Sequence, residues 1–165
     1  MNHDPIFNSF LQAQFDEGLA FARESDVVEL MPAFGSPPSK YMATFHGEWL
    51  AQDPRGQIVG VPLAVFGIAF PRDYLRCTEV GMIATVLEPH NLWHPNISGP
   101  FVCLGHLVPG MSLVDILYQC FEVLAYFRHS PASPLNEAAA QWARNQPAGR
   151  FPTDRRALFG KEAIA

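Results

Sequence analysis

The sequence predicts an α+β fold: an N-terminal helix, an antiparallel meander of three to four strands, a long loop, and two C-terminal helices packed on the sheet. Three observations carry this. Residues 5–23 space apolar side chains as a helix does, residues 41–87 read as β segments separated by turn residues, and residues 112–145 return to helical periodicity. The whole chain, residues 1–165, reads as a single domain with a core over about residues 5–145 and a short tail at 146–165.

Each element has a local reason. Asp4 and Pro5 form a helix start, a capping carboxylate followed by proline at the first helical position. Leu11, Phe15 and Leu19 recur every four residues, with Ala22 on the same side, as far as Arg23. Residues 32–38 (PAFGSPP) read as a linker. Strands are expected at 41–50 (YMATFHGEWL), 60–70 (GVPLAVFGIAF) and 79–87 (EVGMIATVL), the first two joined by a turn at 53–56 (DPRG). Ser112-Leu113-Val114-Asp115 resembles a capping box. Leu113, Ile116, Leu117, Cys120, Leu124 and Phe127 then form an apolar helical face, and residues 136–145 (NEAAAQWARN) a short last helix.

Composition narrows the function classes. With 48% apolar and 16% charged residues the chain is built for a packed interior. A net charge of −5 gives no electrostatic footprint for nucleic acid. No apolar run reaches membrane-spanning length, and the opening MNHDPIFNSF lacks the basic and apolar regions of a signal peptide, so a cytoplasmic location off the membrane is expected. Three widely spaced cysteines, Cys77, Cys103 and Cys120, form no disulfide framework and suit a reducing compartment.

Residues 88–111 have little periodicity and carry Pro89, Pro95, Gly99, Pro100, Pro109 and Gly110, the composition of a long ordered loop with a functional purpose. Within it, residues 93–104 (WHPNISGPFVCL) place His94, Pro95 and Asn96 seven residues or more before Cys103. A thiol can carry an acyl group as a thioester. An asparagine amide held just upstream can donate to the oxyanion formed when a nucleophile attacks, provided it is preorganised, and Pro95 restricts the backbone beside it.

This segment resembles the active-site signature of the ubiquitin-conjugating enzymes, with an interval between HPN and cysteine one residue shorter than is common there. Two further segments are similar to that family and stand in its order: residues 70–75 (FPRDYL) to its FPxxYP segment, and residues 133–145 (SPLNEAAAQWARN) to its PLNxxAAxxYxxN segment. Together the matches span about residues 40–145. The resemblance implies the ubiquitin-conjugating (UBC-like) fold and a transferase. A ubiquitin-like modifier would arrive from an ATP-using activating enzyme, be held as a thioester on Cys103, and pass to an amine, a lysine, of a target protein. It implies Asn96 at the oxyanion and in the loop, Ser133 beside the approaching amine, and structural roles for His94 and Pro95. No cofactor is bound, since ATP serves the activating partner.

The chain also departs from the family. Leu75 replaces the second proline of FPxxYP, and Leu75 and Arg76 stand where ligase-contacting residues are common, so the resemblance does not extend to recognition of a eukaryotic-type ligase, and any ligase partner stays unidentified. Asp16, Glu17 and Glu24 against Arg23 make the first helix acidic where the family's is commonly basic, so the activating enzyme would read another surface. The short C-terminus is similar to that of bacterial ubiquitin-conjugating-like proteins of antiviral defence operons.

Other readings of the same residues stay open. The chain could be a non-catalytic binding module of this fold. His90, His94, Cys103 and His106 have zinc-ligand types, but their spacing matches no standard site, and no metal is expected. A thiol hydrolase would need Cys103 paired with His106 or His129. His129 also lies near the turn that carries Ser133. Cys77 and Cys120 read as small buried residues, Trp93, Phe101 and Val102 as apolar anchors of the loop, and Trp142 as the residue that packs the last helix.

Overall fold

A computed structural model describes residues 4–160. The order is α1 (Pro5–Arg23), β1 (Val28–Gly35), β2 (Pro38–Gln52), β3 (Ile58–Ala69), α2 (Val80–Ile83), β4 (Ala84–Glu88), β5 (Ile97–Ser98), β6 (Phe101–Val102), α3 (Leu113–Leu124) and α4 (Glu137–Arg144). The strands form one antiparallel sheet in the order β1-β2-β3-β4-β6-β5.

The helices start where their caps place them. Asp4 accepts hydrogen bonds from the Ile6 and Phe7 amides at 3.0 and 3.2 Å. Ser112 accepts from Asp115 N–H at 3.1 Å, and Asn136 accepts from Ala139 N–H at 2.9 Å. The buried stripe of α1 is Phe7, Leu11, Gln14, Gly18 and Phe21, with Phe15 and Leu19 only half-buried; the apolar count of the sequence missed that a glutamine and a glycine belong to the face. Gln14 Oε1 accepts from the buried Leu113 N–H at 2.7 Å, so α1 satisfies one of the free donors at the start of α3. In α3 the expected apolar face is buried through Leu124, but the helix ends there and Phe127 lies exposed beyond it.

Three expectations are corrected in the sheet. Residues 32–38 are not a linker: Pro32 lies in β1, an edge strand whose pairing with β2 slips between Pro32 and Phe34. An edge is where a strand tolerates a residue without an N–H. Residues 79–83 begin with one turn of helix rather than extended chain, and only Ala84–Glu88 is strand. The long loop contains a small hairpin, β5–β6, which makes six strands rather than three or four.

The core lies between the inner face of the sheet and α1 and α3. Tyr41, Phe45, Phe66, Ile68, Ile83, Leu113, Ile116 and Cys120 are all buried in it. The tyrosine of FPRDYL is part of this core: Tyr74 is fully buried, and its hydroxyl donates to the Met111 carbonyl at 2.8 Å, which ties that segment to the approach to α3. Burial pushes its pKa up to about 12, with Asp115 adding to the rise. A second, smaller cluster of Leu50, Trp93, Tyr126, Ala139 and Ala143 seats α4. Residues 146–160 return across the sheet rather than trailing away. Thr153 N–H donates to the Ala125 carbonyl at 2.8 Å, Arg156 Nη2 donates to the His46 carbonyl at 2.6 Å, and Leu158 is buried.

Candidate functional site

The spacing between Asn96 and Cys103 is set by the β5–β6 hairpin. Ser98 pairs with Phe101 and Ile97 with Val102, so two residues, Gly99 and Pro100, make the turn. Gly99 has φ +58°, the left-handed region that such tight turns require at their first position. Continuing the register one step sets Asn96 opposite Cys103. Cys103 N–H donates to the Asn96 carbonyl at 2.8 Å, and Asn96 Nδ2 donates to the Cys103 carbonyl at 3.1 Å. Strand alternation then turns Val102 inward and Phe101 outward: Val102 is buried, and Phe101 is 63% exposed and not an anchor of the loop.

His94 and Pro95 fasten this hairpin to the rest of the molecule. His94 Nδ1 accepts from Asn96 N–H at 2.9 Å, which places the imidazole proton on Nε2, beside the Arg128 backbone but outside hydrogen-bond geometry. Burial lowers the His94 pKa to about 3, so the ring is neutral. Its edge meets Tyr126 with ring centroids 4.3 Å apart. The Pro95 carbonyl accepts from the Leu135 and Asn136 amides at 2.9 and 3.1 Å, joining the loop to the start of α4. Trp93 is buried, its carbonyl accepts the Tyr126 hydroxyl, and its ring meets Trp142 edge-on at 6.4 Å.

Cys103 is half-buried and opens into a cleft of about 530 Å³. Asn96, buried at 7% exposure, lines the same cleft, and its Oδ1 has no hydrogen-bond partner. The turn after α3 forms another wall of it, with Arg128, His129, Ser130 and Pro131. Arg128 is fixed there. Its Nε lies 2.7 Å from Glu122 Oε2, and its Nη1 donates to the Leu104 carbonyl at 3.3 Å, the residue next to Cys103. His129 packs its ring on Phe151 at 4.8 Å, with Nδ1 3.5 Å from Ser130 Oγ.

The structure therefore gathers Cys103, Asn96 and His129 at one cleft, with His94 and Pro95 bracing it from behind. Ser133 is exposed and lies just past the wall, where Ser130 stands instead. Sequence reasoning missed Arg128 and Ser130. The available signal was the run of polar residues following the end of a strongly apolar helix. His90, His94, Cys103 and His106 are not brought together: among the described residues no group of three or more His, Cys, Asp or Glu side chains could hold a metal. Cys120 is buried in the core with its thiol pKa pushed up by burial, whereas Cys77 is exposed, a correction to its expected burial. Among the described residues no helix is long and apolar enough to cross a membrane. No family model matches the chain, and no curated protein matches it.

Proposed function

We propose that this protein is a ubiquitin-conjugating-like transferase that carries a ubiquitin-like modifier as a thioester on Cys103. The observation that carries the reading is the pairing of Asn96 with Cys103 at the mouth of a cleft, within an HPN segment whose every residue braces the same hairpin. In the first step the Cys103 thiolate attacks the modifier's C-terminal carbonyl on an activating enzyme. The bond from that carbonyl to the enzyme's sulfur breaks, and the acyl group rests on Cys103. In the second step an amine of a target protein, a lysine, attacks the new thioester carbonyl and gives up a proton, and the carbon–sulfur bond to Cys103 breaks, leaving an amide and the free Cys103 thiol. One N–H of the Asn96 amide is used on the Cys103 carbonyl, which fixes the amide plane, and the other remains to donate to the developing oxyanion. Ser133 borders the approach from outside the cleft. The order helix, meander, cysteine loop, helix, helix and the FPRDYL and SPLNEAAAQWARN segments support the same family.

The test is a charging assay with the activating enzyme and modifier encoded nearest its gene, plus ATP. A band heavier by one modifier, lost with thiol reductant and absent in Cys103→Ala, supports the reading. No such band with a partner pair shown to be active on another carrier would favour a binding module.

A further inference from the structure

Cys103 opens into a cleft that the chain from Phe127 to Ala132 helps to line, so an acyl chain on its sulfur lies among those side chains for as long as the thioester lasts. Phe127, Pro131 and Ala132 give that lining an apolar character. Arg128 gives it a fixed positive charge, since a guanidinium stays protonated throughout the working pH range. Among the described residues no aspartate or glutamate lines the cleft.

Arg128 is held close to the chain that follows Cys103. Its Nη1 donates to the Leu104 carbonyl at 3.3 Å, and a Cβ on Gly105 would lie 3.3 Å from the same atom. The missing side chain at Gly105 lets the guanidinium come down onto the backbone two residues past the cysteine. Glu122 fixes the other side, with Oε2 2.7 Å from Nε. A guanidinium carries five donors in a fixed plane. These two contacts use one on Nε and one on Nη1, and Nη2 makes no hydrogen bond among the described residues. The side chain is 47% exposed, so the remaining donors are both oriented and open to a ligand. An extended peptide advances about 3.3 Å per residue. A charge placed about two residues along from Cys103 therefore falls within reach of the second or third residue of an acyl chain on its sulfur.

We propose that Arg128 selects the modifier by its tail: the C-terminal segment delivered to Cys103 carries an acidic side chain on the second or third residue from its carboxyl end. This rests on the thioester reading of Cys103. The tail's carboxylate accepts a charge-assisted hydrogen bond from Arg128 Nη2 while the Cys103 thiolate attacks the tail's terminal carbonyl, and the contact persists once the acyl group is on sulfur. A lysine or arginine at the same place would set like charges together. Arg128 takes no proton and forms no covalent bond; it is a specificity residue for the incoming acyl group.

The experiment uses a Cys77→Ser background, so that exposed Cys77 takes no label. The acyl donors are mercaptoethanesulfonate thioesters of acetyl-Xaa-Gly-Gly and acetyl-Gly-Xaa-Gly, with glutamate, glutamine or lysine as Xaa. Cys103 displaces the same thiolate from each. Rates of acyl gain are read by intact mass and divided by the rates with a free peptide of residues 101–105, which removes the intrinsic reactivity of each donor. At one of the two positions glutamate should charge Cys103 about fivefold faster than glutamine, with lysine slower than both. The preference should shrink in about 0.5 M salt. In Arg128→Gln the glutamate-to-glutamine ratio should fall to about one, and in Arg128→Lys it should stay above one. A merely structural role for Arg128 would slow all donors alike and leave the ratio where it was. Equal rates for the three donors at both positions, a preference for lysine, or an unchanged ratio in Arg128→Gln would each overturn the proposal. Failure of every donor to charge Cys103 would defeat the thioester reading along with it; charging without a glutamate preference defeats the tail assignment alone.

Discussion

Asn96 and Cys103 face each other across the two strands of a hairpin, joined by Cys103 N–H to the Asn96 carbonyl at 2.8 Å and by Asn96 Nδ2 to the Cys103 carbonyl at 3.1 Å. The seven-residue interval is thus a register, fixed by a two-residue turn at Gly99 and Pro100. The same pairing that braces the loop holds the Asn96 amide against the Cys103 backbone, with both residues lining one cleft. A side chain with both duties should show two separable losses when it is removed.

Asn96→Ala should cost about 1 kcal/mol of stability through the lost hydrogen bond and slow thioester discharge by about 100-fold. Denaturant titration reads the first and single-turnover discharge the second. A stability loss with unchanged discharge would assign Asn96 to the loop alone.

Much of this site could be read in the chain, and the reasons are local. Asp4, Ser112 and Asn136 cap their helices with their own side chains, so α1, α3 and α4 carry their boundaries in a few residues. β1 was hidden because Pro32 and the glycine and prolines around it look like a break, and only the pairing with β2 makes the segment a strand. The β5–β6 hairpin was hidden because strands of two residues are too short to show alternation. Cys103 and Asn96 were visible as a motif and His129 as a neighbour of the Ser133 turn, but Arg128 and Ser130 were not singled out. Arg128 and Ser130 come from the turn beyond α3, whose Tyr126 takes φ 64°, and no sequence spacing announces that approach.

Acid should loosen the loop through His94. Its pKa is lowered by burial to about 3 in the folded protein, against an ordinary 6.5. The unfolded chain therefore binds the extra proton first. The contribution is complete above about pH 6.5 and is lost as pH falls toward about 3, by up to about 1.4 kcal/mol per pH unit. Asp154, where burial opposes ionisation but hydrogen bonds from Arg156 prevail, is lowered from 3.8 and so acts below the upper part of that window. Urea titrations from about pH 7.5 to about pH 4 should show the decline in the wild type, and a flatter one in His94→Gln. The latter should also be less stable at neutral pH, because Asn96 N–H loses its acceptor. Equal slopes in the two proteins would contradict the assignment.

Gly47 sits in the irregular stretch of β2 between His46 and Trp49, where the C-terminal segment crosses. A Cβ there would lie 2.5 Å from Trp49 Cζ2 and 2.6 Å from Asp154 Oδ2. Gly47→Ala should lower stability by about 1–3 kcal/mol, because the indole is fully buried and cannot retreat. A thermal midpoint equal to that of the wild type would show that the segment yields without cost.

The three cysteines should separate by exposure. Brief treatment of the native protein with iodoacetamide should modify Cys77 and Cys103 and spare Cys120 until the chain unfolds. Cys77 Sγ donates to Asp73 Oδ2 at 3.2 Å, and that bond, with the nearby negative charges, raises its pKa. Asp73→Asn should therefore speed alkylation of Cys77 and leave Cys103 unaffected, as peptide mapping by mass spectrometry would show.

The central claim is that Cys103 accepts an acyl group from an activating enzyme, and trapping tests it most directly. Cys103→Ser replaces the thioester with an oxyester that resists thiol. Incubated with the activating enzyme, modifier and ATP, this variant should gain the mass of one modifier less water, with the ester mapped to residue 103. The wild-type adduct should vanish on addition of thiol while the serine adduct persists. Active partners that leave both proteins at their unmodified mass, or an adduct on a lysine or on Cys77 instead, would contradict the account.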